Sequence, residues 1–162
     1  MDSTAPIVLP VKSLPDEDDR PLHPNLPKPP ALLLMISPIR TGKSTIVSNL
    51  LLNSNFFGQD YFDETIVFSP TIHNDKTSRF LRKHATCYDT YSDDILDSII
   101  QDQSSYDDKS MRPSIALILD DIIGVFKGKQ GREPLINSLA SRFRHYGIDL
   151  LLMSSQNYRR VN

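Results

Sequence analysis

The chain has 162 residues, of which 39% are hydrophobic and 23% charged, and its formal net charge is −2. That is a globular balance, which excludes a wholly disordered or membrane-embedded chain. The longest purely apolar run, residues 31–36, falls far short of the roughly 20 residues that span a bilayer.

Eight of the twelve prolines lie in the first 30 residues, alongside the acidic run 16–19. Proline fixes φ and lacks an amide donor, so residues 1–20 read as a flexible arm and 21–30 as an extended lead-in. Residues 21–162 read as one folded domain. The N-terminus has no basic start followed by a long apolar stretch, so no secretory signal peptide is expected.

Residues 31–37 (ALLLMIS) predict a strand buried on both faces. Residues 43–53 predict a helix with Ile46, Val47, Leu50 and Leu51 on one face. Residues 64–69 predict a second strand, stopped by Pro70. Residues 75–84 look helical, and 86–88 make a short strand. Ser92 is a good N-cap for a helix through 103, with Ile95, Leu96, Ile99 and Ile100 at helical spacing. Residues 115–120 (IALILD) predict another buried strand. Pro134 suits the first position of a helix running to about 146, ended by Gly147. Residues 149–154 form the last strand. Strands alternating with helices predict an α/β fold with a mostly parallel, helix-covered sheet. The lone Cys87 excludes an internal disulfide, and the four histidines show no metal-ligand spacing.

Between the first strand and first helix stands Ser37-Pro38-Ile39-Arg40-Thr41-Gly42-Lys43-Ser44-Thr45. It matches the last three fixed positions of the G-x-x-x-x-G-K-[ST] phosphate loop and carries Ser37 at the first. Strand–loop–helix is the context in which backbone amides and a helix dipole hold an anion. Arg40, Thr41, Gly42, Lys43, Ser44 and Thr45 are therefore the candidate nucleotide-binding residues. Gly42 lets the backbone approach a phosphate, Lys43 reaches the outer phosphates, and Ser44 supplies a hydroxyl to Mg²⁺. The apolar strand 115–119 ends in Asp120 and Asp121. In nucleoside triphosphatases the first such acid positions the metal and the next polarises the attacking water. Asp121 could instead merely cap the following turn. The final strand runs into Gln156, a candidate contact to the γ-phosphate or the water.

Charge is unevenly placed. Residues 60–121 hold thirteen acids and six bases, whereas 122–162 hold two acids and seven bases. The basic end suits either nucleic-acid contact or a solvated face balancing the acidic middle. Within it, Arg142 and Arg144 are candidate arginine fingers toward a neighbouring subunit, or plain helix-end charges that suit the dipole.

The lead-in 24–30 (PNLPKPP), TGKST, Ser69-Pro70-Thr71, LILDD and Arg144-His145-Tyr146-Gly147-Ile148 leading to Ser155-Gln156 together resemble the poxvirus-type DNA-packaging ATPases, in the FtsK–HerA branch of P-loop ATPases. The resemblance covers roughly residues 21–162. It implies a P-loop NTPase fold, a three-layer αβα sandwich, and a ring-forming homo-oligomer that uses ATP and Mg²⁺ to drive double-stranded DNA into a viral capsid. It implies Lys43 as the phosphate-loop lysine, Ser44 and Asp120 as metal ligands, Asp121 as catalytic acid and Gln156 as polar sensor. It also implies capsid components as partners, no membrane, and a place in the host cytoplasm or the virion. The chain departs from the family at Ser37 and Arg40, where glycine is common. Such ATPases usually continue beyond the sensor strand, so the C-terminal part of the fold is expected to be missing. Two other readings stay open: a small P-loop nucleotide kinase, and a degenerate nucleotide-binding or scaffold protein without activity. Asp121 followed by Gln156 favours hydrolysis over the kinase.

Overall fold

A computed structural model describes residues 22–38, 40–74, 76–122 and 135–155. The N-terminal arm, Pro134, Gln156 and the bases Lys127, Lys129, Arg132, Arg159 and Arg160 lie outside the described residues. Five strands, β1 (Ala31–Ile36), β2 (Glu64–Phe68), β3 (Thr86–Tyr88), β4 (Ile115–Asp120) and β5 (Ile148–Ser155), alternate with α1 (Lys43–Leu52), α2 (Asp93–Ser104) and α3 (Leu135–Arg142). The strands form one sheet in the order β1-β5-β4-β2-β3, with every pairing parallel. Short apolar runs separated by helical connections cannot close hairpins, so each strand re-enters the sheet by a crossover.

The pleat sends alternate side chains into two cores. On one face, Val47 and Leu51 of α1 pack with Val67, Ala116, Ile118, Leu150 and Leu152, beside the aromatic group Phe57, Tyr61 and Phe62. On the other, Leu96 of α2 and Ile136 and Leu139 of α3 cover Phe68, Leu117, Leu119 and Leu151. Each fully buried Leu, Ile or Phe contributes about 1.5–3 kcal/mol. The sheet is thus flanked by helices on both faces. A register shift in β5 lets Ile115 pair Ile148 while Ala116 pairs Leu150. Asp63 and Ser114 lock the β2–β4 register from below: Ser114 N donates to Asp63 Oδ2 at 2.7 Å, and Asp63 N to Ser114 Oγ at 3.2 Å.

Four expectations change. β1 is not buried on both faces. Among the described strands it lies at the edge of the sheet, and Leu32, Leu34 and Ile36 on one of its faces are exposed, Leu34 at 63%. An apolar run alone cannot tell an edge strand from a central one. On α1, Val47 and Leu51 are buried but Ile46 is exposed. The 75–84 helix is instead two 3-10 turns, Thr77–Arg79 and Leu81–Lys83. Three residues per turn stack the buried Ser78 directly under Leu81, and the Arg82 guanidinium bonds the Ile72 carbonyl oxygen, closing the segment on itself. The expected last helix also changes character, passing from α3 into the 3-10 turn Phe143–Tyr146 before Gly147 ends it in the left-handed region.

Candidate nucleotide site

Hydroxyls and carbonyls build the loop between β1 and α1. Thr41 Oγ1 donates to the Pro38 carbonyl at 2.7 Å, and the Ser37 hydroxyl lies 2.7 Å from that same Thr41 oxygen. Thr41 has one proton and has given it to Pro38, so Ser37 is the donor in the second bond. Ser37, standing at a glycine position, thereby staples the loop. Arg40 and Gly42 have φ of 63° and 90°. Nothing lies within 4 Å of a Cβ built on Gly42, so backbone conformation rather than space asks for glycine there. At Arg40 a side-chain-bearing residue carries the same left-handed strain.

Lys43 opens α1 and turns back: its Nζ donates to the carbonyl oxygens of Ser37 at 2.8 Å and Pro38 at 3.0 Å. α1 has no acid in its first turn, and its N-cap residue, Gly42, has no side chain with which to cap the first amides. The positive end of the helix dipole and its first amides are therefore left to the loop.

Asp120 ends β4 at the same, carboxyl, edge of the sheet. Ser69, one residue past β2, donates its hydroxyl to Asp120 Oδ2 at 2.8 Å, and the Ser154 hydroxyl of β5 donates to Oδ1. Both carboxylate oxygens are thus held by neighbouring strands. Asp121 N donates to the Ser154 carbonyl at 2.9 Å, with Asp121 itself at φ 53°. The backbone therefore breaks out of the strand path at the second acid. Ser44 and Asp120 line one small cavity whose other walls are Val47, Val67 and Ile118 and, from the β2–β3 connection, Ile72, Ser78 and Leu81.

The order β1-β5-β4 explains the convergence. β5 lies between the strand that carries the loop and the strand that carries the acids, and Ser37 N donates to the Ser155 carbonyl at 3.2 Å. Gln156 follows directly but lies outside the described residues. Arg142 and Arg144 are exposed and immediately precede β5, so they stand at the amino edge of the sheet, opposite Ser44 and Asp120. A six-residue strand is about 20 Å long, so neither arginine serves this chain's own loop. Sequence reasoning gave Ser69 and Ser154 no role. A serine just past a strand is too common a signal to mark an acid's partner 51 residues away. Burial pushes the Cys87 thiol pKa up, and the nearby Arg82 only partly opposes this. No protein-family model matches the chain, and no curated protein matches it either.

Proposed function

We propose that the chain binds Mg-ATP over residues 42–45 and hydrolyses it as a subunit of a motor acting on double-stranded DNA, the packaging role that its motifs imply. The supporting observation is that the loop residue Ser44 and the strand-end acid Asp120 meet at the carboxyl edge of a parallel sheet, where such sheets take ligands, bordering a cavity of about 10 Å³ that has room for a water or an ion and not for the nucleotide itself. A hydroxyl and a carboxylate are hard oxygen donors of the kind Mg²⁺ takes, and these two residues would hold it. The ion, when bound, neutralises phosphate charge. Lys43 exchanges its two carbonyl partners for phosphate oxygens, and Ser69 and Ser154 keep Asp120 in one orientation. Asp121 accepts the proton of the attacking water. Arg142 and Arg144 can act only on another copy's nucleotide, which a ring provides.

The test is ATP turnover with and without double-stranded DNA. Lys43→Ala is expected to abolish nucleotide binding by calorimetry. Asp121→Asn is expected to bind normally and turn over about 10²–10⁴ times more slowly. Equal affinity of Lys43→Ala and parent would refute the site. The carbonyl-bound Lys43 and the strained Arg40 favour a second reading, a nucleotide binder without turnover. Tight ATP binding with no hydrolysis in the parent selects it.

A further inference from the structure

The connection from β2 to β3 runs against the charge of its surroundings. Four of the six bases between residues 60 and 121 (Lys76, Arg79, Arg82 and Lys83) fall between Pro70 and Tyr88, where the sequence has one acid, Asp75. His73, Asn74, Lys76, Arg79 and Arg82 line a single open groove of about 510 Å³. Among its described lining residues there is no carboxylate. These bases thus border one groove rather than scattering over the surface.

The groove is also preorganised. Ile72, Ser78 and Leu81 of the same segment are buried against the sheet and α1, and Arg82 is tied to the Ile72 carbonyl. The outward side chains therefore spring from a fixed backbone. Phe80 is 54% exposed, and the Arg79 guanidinium carbon lies 5.1 Å from its ring centroid. Clustered bases interleaved with an exposed aromatic ring are the footprint of nucleic-acid binding.

We propose that this groove binds the phosphodiester backbone of a nucleic acid, with Lys76 and Arg79 on phosphates, His73 and Asn74 donating hydrogen bonds, and Phe80 against a sugar or base. The assignment gives a surface to the DNA partner of the motor reading. It does not depend on ATP being bound or hydrolysed, and it adds a contact on the β2–β3 connection to the basic C-terminal stretch.

The experiment is fluorescence anisotropy of a labelled 30-base-pair duplex, and of one of its strands, with the full chain, without nucleotide, at about 50 and 200 mM KCl. The parent is expected to bind at least one of the two and to weaken steeply with salt. Lys76→Ala/Arg79→Ala, two exposed positions, is expected to lose about tenfold or more in affinity at low salt, with a salt slope shallower by about two. Phe80→Ala is expected to weaken the single strand more than the duplex. Lys109→Ala, an exposed base outside the groove, is expected to bind like the parent. Absent or salt-insensitive binding by the parent overturns the proposal. So does a double variant at 76 and 79 that binds unchanged while keeping the parent's melting temperature. Lys43→Ala separates the two readings: a dead phosphate loop with intact DNA binding leaves this groove standing.

Discussion

Arg40 is the residue at which the loop's local chemistry conflicts most with its conformation. A left-handed L-residue costs roughly 1–2 kcal/mol, and glycine would remove most of that cost at the expense of extra unfolded-state entropy. Arg40→Gly is therefore expected to stabilise the fold by on the order of 1 kcal/mol, raising the melting temperature by about 2–4 °C. A drop in melting temperature would show that the guanidinium makes contacts that outweigh the strain. If ATP affinity falls while stability rises, Arg40 is a phosphate ligand whose strain is tolerated for function. Asp120 is the opposite case. Its two serine partners sit on β5 and just past β2, so its orientation is a property of the assembled sheet rather than of the LILDD motif.

At the scale of elements, Gly147 joins α3 and its 3-10 extension to β5. Its φ is +75°, and a Cβ there would stand 2.8 Å from Gln103 Oε1 and 2.9 Å from the Arg112 side chain. Gln103 is buried and donates to the Pro113 carbonyl, so it cannot simply swing away. Gly147→Ala is expected to destabilise by roughly 2 kcal/mol, combining the left-handed cost with the steric one, and urea denaturation checks it. An effect under about 0.5 kcal/mol would mean that Gln103 and Arg112 yield easily. This glycine was legible in the sequence as a helix stop, as were β3, β4 and the core stripe of α2. Those elements carry their signals locally, in turn residues and periodicity. β1 was misread because ALLLMI looks the same at the edge of a sheet as in its middle. The 75–84 segment was misread because Ser78 and Leu81 find their burial against α1 and the sheet, a tertiary constraint that no local propensity encodes. For the candidate site, the loop and the acids were legible as motifs. Their meeting across one cavity, and the placing of Arg142 and Arg144 at the far edge, followed only from strand order.

Across the whole molecule, the helices divide between the two faces of the sheet, and the carboxyl edge gathers the phosphate loop, the acids and the basic groove. Ile72, Ser78 and Leu81 help line the cavity of Ser44 and Asp120, while Lys76 and Arg79 of the same segment face the groove. The strand order also has a consequence for how the chain acquires its structure. Among the described strands β1 pairs only with β5, so the first strand made waits for the last. Until residues 148–155 are in place, the sheet can be no more than β4-β2-β3, with the phosphate loop hanging from an unpaired ribbon. Such long-range closure is slow and leaves Ala31, Leu33 and Met35, the β1 residues that pack into the core, uncovered in the meantime. A chain ended after Gly147 is expected to lose cooperative unfolding, and in refolding of the full chain binding of a fluorescent ATP analogue should appear only with the slowest phase. An analogue signal that precedes that phase would mean that the loop forms without its sheet partner. A nascent chain on the ribosome would accordingly become competent to hold nucleotide only after β5 has emerged, although the loop itself was translated more than a hundred residues earlier.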